Sequence, residues 1–125
     1  MRGLALNRNL QNLGAIFVKE TQTDACYRLW SINDVHPGMM RDSTTGSPIE
    51  LEIWEVPAAG LSQLLLQEPA GLCMGRIQLA DGSDVLGILA EPWLCEGQPE
   101  ITSWGGWRAY THSLESAERS LSPVS

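Results

Sequence analysis

Lysine is almost missing from this 125-residue chain: Lys19 stands alone beside seven arginines, against fifteen Asp and Glu, for a net charge of −7. So acidic a surface repels polyphosphates, and no basic stripe runs through the sequence, which excludes nucleic acid as a partner. Long apolar runs are missing too. None approaches the ~20 residues of a membrane-spanning helix, and the opening MRGLALNRNL sets arginines and asparagines where a secretory signal needs unbroken apolar chain. The expected setting is cytoplasmic, with no membrane. There are three cysteines, Cys26, Cys73 and Cys95, in no C-x-x-C spacing, an odd set that argues against a disulfide framework and a zinc site. A nucleophilic cysteine needs a base at hand, and His36 and His112 are the only histidines. Cys26 and Cys73 read as small buried hydrophobes, and no cofactor or metal is expected.

What remains is ordinary globular composition, 43% hydrophobic and 18% charged, in a length that suits one domain. Aromatics are few (five Trp, two Tyr, one Phe), yet three of them crowd into 101-ITSWGGWRAY-110 beside a Gly-Gly pair and an arginine. Such a stretch either locks the C-terminus onto the core or forms one wall of a site.

Asn7 to Leu13 reads as a short helix, capped by Asn7, with Leu6, Leu10 and Leu13 on one side and Gly14 ending it in the left-handed conformation. Residues 15–20 and 25–32 are strand candidates around a TQTD turn, the second with two partly buried faces. The 33–48 segment is loop chemistry, with Asn-Asp, Pro-Gly and a Ser/Thr/Gly tract. Ile49, Leu51 and Ile53 alternate with Glu50, Glu52 and Glu55, and a slip at Trp54 predicts a bulge. Pro57 opens a helix over 58–67 with Leu61, Leu64 and Leu65 inside, and Glu68-Pro69 stops it. Residues 73–79 and 84–90 flank an Ala-Asp-Gly-Ser turn, a strong hairpin signal. Residues 96–103 read as loop and 113–125 as a flexible Ser-rich tail. About five or six strands and two helices give an α+β fold, the strands curled into a small mixed or antiparallel barrel.

Taken in order, 6-LN-7, 13-LGA-15, 27-YRLW-30, 37-PG-38, 79-LADG-82 with Gly87, Glu91-Pro92, 100-EI-101 and 105-GGWRAY-110 resemble the C-terminal domain of allophanate hydrolases and the small stand-alone proteins related to it. That domain belongs to the γ-glutamyl cyclotransferase-like fold, and the resemblance runs over about residues 1–110, with the domain bounded at 1–112. It implies a barrel with flanking helices and a pocket at one end. In allophanate hydrolases the domain is thought to take N-carboxycarbamate toward ammonia and carbon dioxide. In the cyclotransferases a glutamate acts as general acid/base on a γ-glutamyl amine. The family's first strand and its histidine have no counterpart ahead of Met1-Arg2-Gly3, so the resemblance implies a stand-alone form lacking that strand, with Gly3 at the end of the ligand-binding glycine loop.

Glu68 is the catalytic candidate, because it falls near the cyclotransferase glutamate. A carboxylate at a helix C-terminus also opposes the macrodipole by ~0.3–1 kcal/mol; the plainer reading is a solvated helix end. Arg108 either grips a substrate carboxylate or pairs with an internal glutamate such as Glu91 or Glu100, while Gly105-Gly106 allow close backbone approach beside Trp107 and Tyr110. Arg28 is a pocket cation or a partner for the Glu50/Glu52/Glu55 row. Asp34 and His36 form a lid or proton shuttle, or are simply solvated, and Glu91 lines a pocket mouth or caps a loop. The expected ligand is a small carboxylate-bearing metabolite, with hydrolase- or decarboxylase-type chemistry on a C–N compound. The alternatives are a non-catalytic partner of an amidase and a cyclotransferase-like enzyme.

Overall fold

A computed structural model describes residues 13–121, whose strands form three antiparallel pairs. Strand β1 (Ile16–Gln22) pairs with β4 (Glu50–Glu55), β2 (Tyr27–Ile32) with β3 (His36–Arg41), and β5 (Leu72–Gln78) with β6 (Asp84–Ala90). Helices α1 (Ala58–Gln67), α2 (Pro92–Cys95) and α3 (Trp107–Leu121) complete the described elements, with a 3-10 turn at Thr102–Trp104. The α+β class expected from the sequence is what forms.

Single junctions tie the pairs together. Asp24 N–H donates to Gln78 C=O and Ala80 N–H to Gln22 C=O, and Thr23, whose N–H extends the β1–β4 pair by donating to Ile49 C=O, also bridges to Leu79. The fully buried Tyr27 hydroxyl accepts from Gln78 N–H at 2.9 Å. The expected closed barrel does not form among the described residues. The free edge of β2 is met by the 99–101 segment, with Ser31 N–H donating to Pro99 C=O and Ile101 N–H to Leu29 C=O. Pro99 has no N–H with which to extend a ladder, so an irregular strap caps this edge where a barrel needs a strand.

Three other expectations are corrected. The 33–48 loop contains β3, folded back on β2 by a turn in which Val35 N–H donates to Ile32 C=O. Asn33 and Asp34 take φ values of 55° and 56° there, the geometry of a type I′ hairpin turn, which short polar side chains tolerate. The bulge lies in β1, between Phe17 and Lys19, opposite the Trp54–Ile53 step rather than in β4 itself. Residues 113–121 continue α3: Leu114, one helical turn beyond Tyr110, packs against the core, which holds this polar segment in register. Gly14 has the expected left-handed φ of 79°, while the helix it was to end falls, but for Leu13, outside the described residues.

The main core joins Tyr27, Leu29 and Met39 to Ile49, Ile77 and Ile101, and the C-terminal Trp107 and Tyr110 belong to it. The predicted two-sided burial of β2 is present: five of its six residues are buried. A smaller cluster sets Trp30 and Ile32 against Ala90 and Cys95. Gly38 is needed here, since a Cβ at that position would come within 3.2 Å of Ala90 Cβ.

Candidate functional site

The decapeptide is seated by its backbone before its side chains act. Gly105 takes φ 79° after the 3-10 turn, and its C=O accepts from Glu50 N–H at 2.7 Å. A Cβ on Gly106 would lie 3.1 Å from Glu50 Cβ, so a residue without a side chain lets the start of α3 reach β4. Trp107 and Tyr110 then enter the core, and Trp104 meets Tyr110 edge-on at 5.3 Å. The stretch does fasten the C-terminus.

Its arginine points elsewhere. Arg108 stays 58% exposed, with Nη2 3.2 Å from Glu20 Oε1 and 3.7 Å from Glu52 Oε2. These carboxylates are register partners across β1 and β4, so α3 lays one cation over a pair of facing glutamates. The partners expected from the sequence, Glu91 and Glu100, are committed to other groups: Glu91 Oε1 accepts from Trp93 Nε1–H, and Glu100 binds Arg28. Glu52 sits deepest, its side chain 4% exposed, with Oε1 accepting from Trp54 Nε1–H at 3.2 Å. Trp54 in turn meets Phe17 edge-on at 5.5 Å.

Arg28 does not pair with the Glu50/Glu52/Glu55 row. Its Nε and Nη2 donate to the two oxygens of Glu100, and Nη1 donates to Asp42 at 3.2 Å. The strap on the β2 edge brings Glu100 to it, and the guanidinium lies 4.8 Å from the Trp30 ring centre. Paired first with Glu100 and then with Asp42, the cation is held well above its ordinary pKa. Asp42 is pulled down to about 2, first by the Thr45 N–H and hydroxyl. This fork is engaged on three of its nitrogens.

Tyr110 O–H and Ser31 O–H both donate to Asp34 Oδ1, at 2.7 and 2.5 Å. The Ser31 hydroxyl, then Tyr110, lowers the Asp34 carboxyl below its usual range, while the bond to Asp34 raises Tyr110. The sequence-predicted Tyr110 therefore pins the β2–β3 turn to α3. Glu68 follows α1, half-buried; burial pushes its carboxyl up, opposed by the charge of His36. The His36 Nδ1 position is 3.0 Å from Pro37 C=O. Gly3 lies outside the described residues.

Thus Glu68, Arg28 and Arg108 stand among three different sets of partners, and of the predicted residues only Trp107 and Tyr110 touch, at 5.8 Å between rings. The sequence reading passed over Glu20 and Trp54 and treated Glu52 only as a possible partner of Arg28. The signal available was the period of two in β4, which sets Glu50, Glu52 and Trp54 opposite Leu51 and Ile53. An open groove of about 460 Å³ at the other end of the same pair is lined by Gly14, Ile16, Glu55, Val56 and Pro57, none of them a predicted site residue. Among the described residues no His/Cys/Asp/Glu group could hold a metal ion, and no helix is long and apolar enough to cross a membrane.

The family model of the allophanate hydrolase C-terminal domain matches residues 1–112. A crystal structure of a uropathogenic E. coli-specific protein is 61% identical, with a TM-score of 0.87 over 90% of this chain and 88% of that one. Kluyveromyces lactis allophanate hydrolase is 28% identical, with a TM-score of 0.85, covering 91% of this chain and 20% of that one. The urea amidolyase of Saccharomyces cerevisiae is 29% identical over 94% of this chain, which spans only 7% of its length. The chain belongs to the allophanate hydrolase C-terminal domain family.

Proposed function

We propose that the protein processes a small carboxylated amine or amide of urea and amide metabolism, taking an N-carboxycarbamate-like compound to ammonia and carbon dioxide. The family supplies the class of reaction, and the observation that carries it to this chain is the exposed fork of Arg108 beside two carboxylates. In such a step the C–N bond breaks, its electron pair stays on nitrogen, a proton is delivered there and carbon dioxide leaves. The residual carbamate then decomposes in the same way. Arg108 anchors the retained carboxylate. Glu68, whose burial favours the protonated form, is the acid/base candidate that the resemblance to the cyclotransferases suggests, although it stands among partners other than those of Arg108.

The test is the full chain added to an amidase that generates the intermediate from allophanate, with ammonia and carbon dioxide measured. Release above the amidase alone is expected, falling at least about tenfold in Arg108→Gln. No release above the amidase refutes catalysis. A second reading has its own support, since in urea amidolyase and allophanate hydrolase the matching segment is a small part of a longer chain. This chain would then act as a non-catalytic partner of an amidase, marked by co-purification and by complex activity that Glu68→Gln leaves unchanged. Release of 5-oxoproline from a γ-glutamyl amine would instead identify a cyclotransferase.

A further inference from the structure

Trp93, on α2, is 55% exposed, yet the fold holds it still. Its indole N–H donates to Glu91 Oε1 at 2.6 Å. Its six-membered ring rests where a side chain on Gly71 would stand, since a Cβ there would come within 2.8 Å of Trp93 Cζ2. Gly71 takes φ 93°, which favours glycine, and its C=O accepts from Glu91 N–H at 2.8 Å. The 69–71 turn and the start of α2 are thereby tied together, and Pro69, Ala70 and Pro92, all exposed, continue the apolar surface along them. An indole already ordered in this way has little freedom left to lose on binding. The charge beside it says what it meets. Among the described residues no arginine or lysine lies over Trp93 or pairs with Glu91, whose Oε2 is left to solvent. The same chain completes that arrangement at Trp30, where the Arg28 guanidinium lies 4.8 Å from the ring centre and is held by Glu100 and Asp42. At Trp93 a ring and a carboxylate stand together with no cation of the described chain upon them.

We propose that this surface docks an arginine of a second protein, carried on an apolar segment. The guanidinium lies on the outer face of Trp93 and donates to Glu91 Oε2, while the apolar neighbours of that arginine cover Pro69, Ala70 and Pro92. Arginine suits the place better than lysine, because its planar fork stacks on a ring and binds a carboxylate at the same time. A second copy of this chain is a poor occupant, since each copy brings a net charge of −7. The inference goes beyond the readings of function above and needs neither Arg108 nor Glu68.

The full chain, with its indole nitrogens labelled, is titrated by NMR with the blocked tripeptide acetyl-Leu-Arg-Leu-amide. The comparison peptide carries citrulline, which keeps the side-chain shape without the charge. The Trp93 N–H signal is assigned with Trp93→Leu. The arginine peptide is expected to bind about tenfold tighter than the citrulline peptide and to move the Trp93 signal. Glu91→Gln, which keeps an acceptor for the indole, should remove most of that preference, and Trp93→Leu, at an exposed position, should weaken the arginine peptide about fivefold. Equal binding of the two peptides, a Trp93 signal that stays in place, or variants with unchanged affinities overturn the docking surface. Binding of acetyl-arginine amide as tight as that of the tripeptide assigns a small-cation site and overturns protein docking. A Trp93 signal that shifts on dilution of the protein alone, with a dimer in sedimentation, makes a second copy the occupant and overturns the proposal as well.

Discussion

Thr23→Val is a substitution that keeps shape and changes hydrogen bonding at the junction of two strand pairs. Thr23 is fully buried, and its Oγ1 accepts from Ile49 N–H at 3.0 Å while donating to Asp24 C=O at 2.8 Å. Valine fills the same volume and strips Ile49 N–H, itself buried, of its acceptor. A buried donor left unsatisfied costs about 1–3 kcal/mol, so we expect a loss near 2 kcal/mol. Thr23→Ser keeps both bonds and loses one methyl group, about 1 kcal/mol. At about 4 °C per kcal/mol for a chain of this size, the midpoints should fall roughly 8 °C and 4 °C. Thermal unfolding gives the order, and amide exchange at Ile49 gives the site: protection should drop in Thr23→Val and persist in Thr23→Ser. A valine variant as stable as the wild type, or more stable than the serine variant, would refute the view that hydrogen bonding rather than packing holds this junction.

Three further predictions concern turns and charge. Gly46→Ala should abolish stable folding, because a Cβ there would lie 2.4–2.5 Å from backbone atoms of Cys26, Tyr27 and Asp42; Gly82→Ala meets no atom within 4 Å but takes φ 89°, and should cost only about 1–2 kcal/mol by urea titration. Burial raises the Glu68 pKa on folding, so its protonated form favours the native state below the unfolded value near 4.3 and that advantage is lost as pH rises through the folded value. Glu68→Gln should therefore gain stability relative to wild type between pH 4 and pH 7, and a flat difference refutes the shift. Asp34 is lowered, so its contribution is present above about pH 4 and is lost as pH falls. The midpoint difference between Tyr110→Phe and wild type should shrink toward pH 2.5, and a constant gap would show that the Tyr110–Asp34 bond is not its source.

Local chemistry made much of this protein legible in advance. The helix over 58–67, the Asp-Gly hairpin and the two-sided burial of β2 follow from periodicity and turn residues, which act over a few positions. The family followed from an ordered set of short motifs ending in Gly-Gly-Trp-Arg-Ala-Tyr. The β2–β3 hairpin was hidden because Pro37 and Gly38 look like breakers, although an edge strand accepts proline and contact with Ala90 requires glycine. The partners of Arg28 and Arg108 were not legible at all. Glu100 lies 72 residues from Arg28, and Glu20 lies 88 from Arg108; an ion pair is chosen by which surfaces the fold brings together, and eight basic residues among fifteen acidic ones leave many pairings open. By itself the sequence determined five of the six strands, the helix over 58–67, the family and the residue types a site would need. Only the tertiary structure decided that the arginine of the terminal motif faces the buried Glu52 of β4, because that meeting depends on Gly106 letting a helix approach a strand more than fifty positions away.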